Sequence, residues 1–180
     1  MDTEALANKR IGKVFIRVVG AAMESGLRYR FFGPKRILNG TEIQNGQTVL
    51  EIGCGTGYFT LPAAELLGEH GSLVAMDILP LSVEIVARKV QTANLKNVNI
   101  VKGNALDTKL EAESLDVVLV FGVIPAPMIP TEQLLSEIHR ILKPGGIIAV
   151  WPSRLVHKAI AKSGLFTFSS KKNGVSNYRK

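Results

Sequence analysis

A glycine-rich segment, EIGCGTGYFT at residues 51–60, is the part of the chain best suited to binding a ligand. Its glycines alternate with other residues at Gly53, Gly55 and Gly57, so the main chain can bend tightly and approach a ligand with no Cβ in the way. A strand is predicted before it and a helix after it, and the first amides of a helix are free to bind a polar group. Dinucleotide-binding loops instead have the spacing G-x-G-x-x-G, with a third glycine where this chain has Tyr58.

An acidic residue, Asp77, ends the second predicted strand 20 residues after Gly57. The two should lie side by side at the carboxyl edge of the sheet, where open α/β folds bind their ligands. A carboxylate there can accept hydrogen bonds from both hydroxyls of a ribose, each worth about 1.5–3 kcal/mol. The alternative role is a cap for the helix that starts near Leu81. The ribose interpretation is favoured, and with the glycine loop it predicts an adenosine-containing ligand.

The elements that would position these residues alternate short apolar runs with helical patterns. Near-continuous apolar strands separated by helices are typical of a parallel sheet covered on both faces. The predicted strands are 48–52, 72–77, 98–101, 115–121 and 147–151. The predicted helices are 59–67, 81–93 and 131–142, the last capped by Thr131 and stopped by Lys143-Pro144-Gly145-Gly146.

The last part of the chain changes to an antiparallel pattern. A short helix over 154–163 ends at Gly164, and strand-like runs at 165–170 and 175–179 flank an Asn-Gly pair. Asn-Gly between two such runs favours a β-hairpin. We therefore predict an α/β fold: a doubly wound, mostly parallel seven-stranded sheet with a C-terminal antiparallel hairpin.

Residues 1–44 are predicted to form a helical segment ahead of a ligand-binding domain over 45–180. Apolar residues recur at helical spacing from Ile11 to Ala22, and a shorter helix is expected over 35–43. A helix that only packs against the sheet would have this pattern. That interpretation is favoured, and the alternative is a lid in which Tyr29, Arg30 and Phe32 close over the ligand.

The composition is ordinary for one globular domain, with 46% hydrophobic and 21% charged residues. No apolar run approaches the roughly 20 residues of a membrane span, and the N-terminus lacks the pattern of a secretory signal. The single cysteine, Cys54, excludes an intrachain disulfide framework and a cysteine-based zinc site, and we expect no bound metal. These features predict a cytoplasmic protein.

The net charge of +7 is unevenly distributed along the chain. The formal charge is +5 over residues 1–40, −5 over 41–152 and +7 over 153–180, where there is no acidic residue. Basic flanks of this kind can bind an anionic membrane or a nucleic acid, although a solvated basic surface is equally compatible with them. A homodimer also stays open.

Five segments together make the chain similar to the class I S-adenosylmethionine-dependent methyltransferases. They are EIGCGTGYFT at 51–60, AMD at 75–77, KGNALD at 102–107, LDVVLVFGV at 115–123 and HRILKPGGIIAVWP at 139–152. The resemblance is to the small-molecule branch related to ubiquinone and menaquinone C-methyltransferases, and it covers about 45–152. It implies a Rossmann-like methyltransferase fold, S-adenosylmethionine as the cofactor and transferase activity.

By position, the resemblance implies a cofactor-binding role for residues at four strand ends. The methionine half would be held by Glu51 and by the main chain of Gly53, Cys54, Gly55, Thr56 and Gly57. The ribose would bind Asp77, and the adenine would pack on Ile78 and lie beside Asn104 and Ala105. The sulfonium would lie near the main chain of Phe121, Gly122 and Val123. Asn104 departs from the aspartate usual in the family, although an amide can still pair with the adenine amino group.

The family's reaction needs little from the protein beyond alignment, because the sulfonium already makes the methyl group electrophilic. We expect a direct in-line displacement in which proximity accounts for much of the rate. A general base is needed only if the acceptor must first lose a proton. His157 is the candidate base, with Arg154 as an anion clamp, but a short basic surface helix explains both residues better.

The acceptor is predicted from the segments expected around it. Residues 122–130, GVIPAPMIP, are apolar, and they lack the N/D-P-P-Y motif expected for methylation of adenine or glutamine nitrogens. A small, partly apolar acceptor is therefore favoured. The alternatives are a methyltransferase acting at an anionic surface (lipid before RNA), a non-catalytic adenosine-ligand binder and, least favoured, a nicotinamide-dependent oxidoreductase.

Overall fold

Seven strands form one mixed sheet in the computed structural model of the chain, which describes residues 33–123, 129–152 and 156–180. The strands are β1 (Thr48–Ile52), β2 (Ser72–Asp77), β3 (Val98–Lys102), β4 (Leu115–Phe121), β5 (Leu142–Trp151), β6 (Thr167–Lys172) and β7 (Val175–Arg179). The helices of these residues are α1 (Pro34–Leu38), α2 (Thr60–Leu67), α3 (Pro80–Thr92), α4 (Thr131–Ile141) and α5 (His157–Ser163).

The strand order in the sheet is β3-β2-β1-β4-β5-β7-β6. Strands β1 to β5 pair in parallel, whereas β7 runs antiparallel to both β5 and β6. The chain passes from β1 outward to β3 and then returns to the other side of β1 at β4. Such a reversal opens a crevice at the carboxyl ends of the two central strands. The predicted α/β fold with its C-terminal hairpin is confirmed.

Helices cover both faces of the sheet, because successive side chains of a strand point to opposite sides. On one face, Leu50 of β1 belongs to a buried cluster with Leu135 and Ile138 of α4. On the other face, Val49 of β1 packs in a second cluster with Leu67 of α2. The central strands are thus held from both sides, and the loops at their carboxyl ends start from a rigid edge.

The predicted start of β5 is wrong. The strand begins at Leu142, directly after α4, and not at residue 147. Leu142 pairs with Leu115 of β4, and a register shift after Leu115 accommodates the Pro144-Gly145 segment within the strand. The helix ends before the proline and glycines, as predicted. These residues lie within β5, and only the pairing with β4 shows that the strand already begins at Leu142.

Two predicted helix boundaries are also wrong. Thr131 is the first residue of α4 and not its cap, because Pro130 occupies the N-cap position and no side chain caps the helix. The helix expected over 35–43 is shorter, since α1 ends at Leu38. There the Thr41 hydroxyl donates a 2.6 Å hydrogen bond to the Leu38 carbonyl, which stops the helix.

Several predictions concern residues outside the described ranges, namely the helix from Ile11 to Ala22, the lid residues Tyr29, Arg30 and Phe32, residues 124–128 of the apolar segment, and Arg154. No helix of residues 33–123, 129–152 or 156–180 is long and apolar enough to cross a membrane.

Candidate functional site

The glycine loop follows β1 and crosses the end of β2. Gly53, Gly55 and Gly57 have φ angles of 72°, 54° and 83°, a region that side chains with a Cβ rarely adopt. The Gly53 and Cys54 amides donate hydrogen bonds of 2.8 and 3.1 Å to the Met76 carbonyl, which ties the loop to β2. A Cβ on Gly53 would lie 2.7 Å from Val123 Cγ2, so the main chain also approaches the end of β4 closely.

Asp77 joins the glycine loop to the segment before α3. Its Oδ2 accepts a hydrogen bond of 2.9 Å from the Gly55 amide, and its Oδ1 accepts one of 2.9 Å from the Leu79 amide. Burial raises the pKa of the Asp77 carboxyl, and these amide hydrogen bonds oppose that shift. The residue at the N-cap of α3 is Leu79, with no side-chain cap bond, so Asp77 is not the helix cap of the alternative interpretation.

A small cavity of about 170 Å³ lies beside Asp77. Ligand pockets are usually larger, about 300–1,000 Å³, so this cavity suits one part of a ligand, such as a flat ring. Its lining residues are Ile52, Gly53, Met76, Asp77, Ile78, Gly103, Asn104, Ala105, Leu106, Val123 and Ile129. The lining is mostly apolar and comes from the carboxyl ends of β1, β2, β3 and β4. Six of the predicted cofactor-binding residues line the cavity: Gly53, Asp77, Ile78, Asn104, Ala105 and Val123.

Asn104 already uses part of its side chain within its own turn. Its Oδ1 accepts a hydrogen bond of 3.0 Å from the Leu106 amide. The Nδ2 group is the donor that this arrangement leaves for a ligand, and a ring nitrogen is a suitable acceptor for it.

Glu51 does not line this cavity. Its side chain is 2% exposed and lies on the α2 side of β1, where Oε2 accepts a 2.6 Å hydrogen bond from the Thr60 hydroxyl. Burial raises the pKa of the Glu51 carboxyl to about 8, although the Thr60 hydrogen bond opposes the shift. The structure places the Glu51 carboxyl away from the cavity, and its predicted contact with a cofactor stays a prediction.

Four aromatic rings pack together at the carboxyl ends of β4 and β5. The Phe59 ring lies 4.8 Å from that of Phe121, 4.9 Å from that of Tyr58 and 5.8 Å from that of Trp151, between centroids. Gly122 follows with a φ angle of 72°, and its amide donates to the Trp151 carbonyl at 2.8 Å. None of the predictions from sequence included this cluster, although adjacent parallel strands that both end in an aromatic residue could have indicated it.

The structure does not bring the candidate base to the cavity. His157 Nδ1 lies 2.6 Å from the Tyr178 hydroxyl oxygen, and the His157 ring lies 6.1 Å from the Phe168 ring. Neither partner lines the cavity.

Cys54 is buried in a cluster of α3 and β2 residues, and burial raises the pKa of its thiol, so it is inert as a nucleophile at neutral pH. Thr56 is half-buried in the loop. Within the described part of the chain, no cluster of His, Cys, Asp or Glu side chains could hold a metal ion.

Residues 49–146 match a protein family described as "Methyltransferase domain". Demethylmenaquinone methyltransferase from Geobacillus stearothermophilus is 32% identical over 114 residues, which is 63% of this chain and 48% of that protein. The enzyme of the same name from Listeria welshimeri is 34% identical over 108 residues, 59% of this chain and 45% of its own length. The chain thus spans about half the length of the curated relatives it matches.

The fold has a close counterpart among solved structures. A SAM-dependent methyltransferase from Aquifex aeolicus superposes with a TM-score of 0.76, covering 88% of this chain and 94% of that one at 20% identity. At this identity the likeness shows a shared fold.

Proposed function

The chain belongs to the methyltransferase-domain family, and from that premise we propose that it binds S-adenosylmethionine and transfers the methyl group to a small, partly apolar acceptor. One observation carries the proposal. The Asp77 carboxylate and the exposed main chain of Gly53 border the same small, largely apolar cavity at the carboxyl ends of β1 and β2. A flat apolar ring joined to a sugar has the chemistry that such a cavity would bind.

The residues of the cavity fit the parts of this cofactor. The adenine would lie among apolar side chains that include Ile78 and Leu106, with the Asn104 Nδ2 group donating to a ring nitrogen. The ribose hydroxyls would donate to Asp77, whose carboxylate oxygens each accept one main-chain amide and have a further lone pair. The methionine half would then lie along the glycine loop.

When bound, the cofactor would supply an electrophilic methyl group for the acceptor and would leave as a neutral thioether. The protein would align the acceptor with the methyl group and exclude water. Much of the rate gain of a two-substrate reaction arises from holding both substrates in the reactive geometry. No described residue is assigned as a general base. The His157 ring contacts the Tyr178 side chain, between α5 and β7.

The aromatic cluster favours a planar, apolar acceptor. Phe121 ends β4, which lies next to β1, and Trp151 ends β5, which lies next to β4; Trp151 is only half-buried. The curated relatives are named for a demethylated menaquinone, which also carries an aromatic ring system. We propose that the acceptor of this chain is an apolar compound with such a ring.

Calorimetry tests the cofactor assignment directly. S-adenosylmethionine and S-adenosylhomocysteine should bind, and NAD should not. Asp77→Ala should lower the affinity for both about ten- to hundredfold, because a charge-assisted hydrogen bond is worth about 1.5–3 kcal/mol. The matched control is Asp107→Ala, an exposed carboxylate of the β3–β4 connection that pairs only with Lys109 among described residues.

Two results would contradict the proposal. Tighter binding of NAD would reject the cofactor, and an unchanged affinity in Asp77→Ala would place the ribose elsewhere. A turnover assay with quinol-like acceptors, in which the production of S-adenosylhomocysteine is measured, distinguishes an enzyme from a non-catalytic adenosine-ligand binder.

A further inference from the structure

The basic residues of the C-terminal region divide into two groups by their partners. Arg179 pairs with Glu42 at 3.1 Å, Lys180 with Glu113 at 3.3 Å and Lys162 with Glu132 at 3.7 Å. The three other cations of residues 156–180 are Lys158, Lys171 and Lys172, and none of them has an acidic partner within the described ranges. Their charge is therefore uncompensated at the surface, where all three side chains are exposed.

Two of these lysines lie at the edge of the sheet that holds the cavity. Lys171 pairs with Ser176 of β7, which in turn pairs with Val150 near the carboxyl end of β5. Lys172 follows, just before the hairpin turn. That turn packs on Trp151, because a Cβ added to Gly174 would lie 3.2 Å from the indole nitrogen. Lys158 lies in the first turn of α5, soon after the same end of β5.

The paired Arg179 lies at the opposite edge of the sheet. It is the partner of Ile147, where the parallel part of β5 begins. The uncompensated charge is thus concentrated on the edge where the proposed substrates enter.

An exposed aromatic ring adjoins this charge. Among the described residues, two large hydrophobic side chains are exposed, and Phe168, at 50%, is more exposed than Leu66, at 37%. Phe168 lies on the same face of β6 as Lys171, since their partners Tyr178 and Ser176 are two residues apart on β7. Along the strand it lies nearer the Arg179 end, because Tyr178 pairs with Ile148, and its ring lies 6.1 Å from that of His157, the residue before Lys158. An aromatic side chain beside lysines is typical of proteins that bind at the interface of a membrane.

We propose that Lys158, Phe168, Lys171 and Lys172, here called the basic patch, bind the surface of an anionic phospholipid bilayer, with the three lysines near the carboxyl edge of the sheet and Phe168 further along β6 on the same face as Lys171. The charge of the patch is complementary to such a surface, and none of its three lysines pairs with an acidic side chain of the described residues. A single-stranded nucleic acid fits less well, because base stacking needs a series of exposed aromatic rings and the patch has one. The proposal does not depend on the proposed activity, although it would bring an apolar acceptor dissolved in the bilayer to the cavity.

Co-sedimentation of the full chain with vesicles tests the proposal. Vesicles of phosphatidylcholine alone are compared with vesicles containing phosphatidylglycerol, at low and high salt. We expect binding to the anionic vesicles only, and weaker binding at high salt. Neutralising one lysine near such a surface should lower the affinity about fivefold, so Lys171→Gln with Lys172→Gln should lower it about twenty-five-fold.

A matched control removes the same charge elsewhere. Lys96→Gln with Lys109→Gln changes two exposed lysines outside the patch and should leave vesicle binding nearly unchanged. Phe168→Ser should weaken binding at both salt concentrations, because it removes apolar contact and no charge.

Three results would overturn the proposal: no binding to anionic vesicles, equal losses in the patch and control double variants, or tighter binding to a single-stranded RNA than to vesicles. Asp77→Ala should bind vesicles like the unmodified chain. Its behaviour distinguishes failure of the membrane proposal from failure of the cofactor assignment.

Discussion

The fold strongly changes the pKa of the Glu51 carboxyl, and burial is the main cause. The carboxyl is buried beside Thr60, and its pKa of about 8 lies well above the ordinary value of 4.5. The folded protein therefore holds this proton at pH values where the unfolded chain has released it. The contribution to stability is present below about pH 4.5, is lost as the pH rises towards 8, and is constant above that.

Replacing Glu51 by glutamine should remove this dependence on pH. Between pH 5 and 8, the free energy of unfolding of the unmodified chain should fall relative to Glu51→Gln, by up to about 1.4 kcal/mol per pH unit. Urea unfolding at several pH values measures the difference. Glu84→Gln, which changes an exposed carboxylate, should run parallel to the unmodified chain. If the free energy of unfolding had the same pH dependence in Glu51→Gln and in the unmodified chain, the raised pKa of Glu51 would be contradicted.

Gly53 combines two restrictions on a side chain. Its φ angle is 72°, and a Cβ would lie 2.7 Å from Val123 Cγ2. Gly53→Ala should therefore cost about 1–3 kcal/mol from the backbone conformation and more from the contact. Gly145→Ala is the matched control, with a φ angle of 76° and open space around the added Cβ. Equal losses in urea unfolding would mean that the loop can move away from Val123.

At the scale of the elements, the strands are the best predicted part of the fold. β1, β2, β4 and β7 begin and end where the sequence predicts, and a glycine directly adjoins one end of each of them. The first hairpin strand is displaced, over 167–172 and not 165–170, since the Asn173-Gly174 turn draws the pairing up to its own ends. Asn173 and Gly174 have φ angles of 50° and 79°, as a two-residue hairpin turn requires.

A clamp at Glu137 attaches the β3–β4 connection to α4, which no local pattern predicted. Glu137 Oε1 accepts hydrogen bonds from the Thr108 amide and hydroxyl at 2.9 and 2.6 Å, and Oε2 accepts one from Arg140 Nε at 2.8 Å. The Arg140 hydrogen bond, ahead of those from Thr108, lowers the pKa of the Glu137 carboxyl to about 2. The clamp's contribution to stability is thus present above about pH 4.5 and is lost as the pH falls towards 2.

Glu137→Gln should destabilise the protein at pH 7 by about 1–2 kcal/mol, since it removes the charge that Arg140 pairs with. The loss should shrink as the pH falls below 4.5, because the unfolded chain then takes up a proton that the folded carboxylate, with its pKa of about 2, does not bind. Glu132→Gln removes a loose exposed pair with Lys162 and should have little effect. Urea unfolding at pH 7 and pH 3.5 checks both expectations, and a loss independent of pH would show that shape, not charge, matters at this position.

At the scale of the whole molecule, one buried amide links the two ends of the described fold. Asn177 is fully buried in β7, and its Nδ2 donates to the Gly40 carbonyl at 2.9 Å and to the Ser170 hydroxyl at 3.0 Å. Gly40 is required there, because an added Cβ would overlap the Lys172 carbonyl. The segment after α1 is therefore hydrogen-bonded directly to the hairpin.

Asn177→Ala should lower the free energy of unfolding by about 1–3 kcal/mol, because it removes the side-chain donor to the buried Gly40 carbonyl and one of the two hydrogen bonds of the Ser170 hydroxyl. The transition should stay single, since the hairpin and the segment after α1 unfold with the core. Asn99→Ala, on the exposed side of β3, serves as the control. A separate early transition would instead show that the two ends are only loosely attached.

The sequence by itself determined the order of strands and helices, the glycine loop and the offset of Asp77, because these depend on patterns within short stretches of chain. Those patterns led to a cavity that six of the predicted residues line. Tertiary structure alone decided that Glu51 turns to Thr60, that His157 pairs with Tyr178 and that the unpaired lysines share the carboxyl edge. The physical reason is that the face and register of a strand are set by its neighbours in the sheet. Those neighbours can be distant in the chain, as Asn177 and Gly40 are, 137 residues apart.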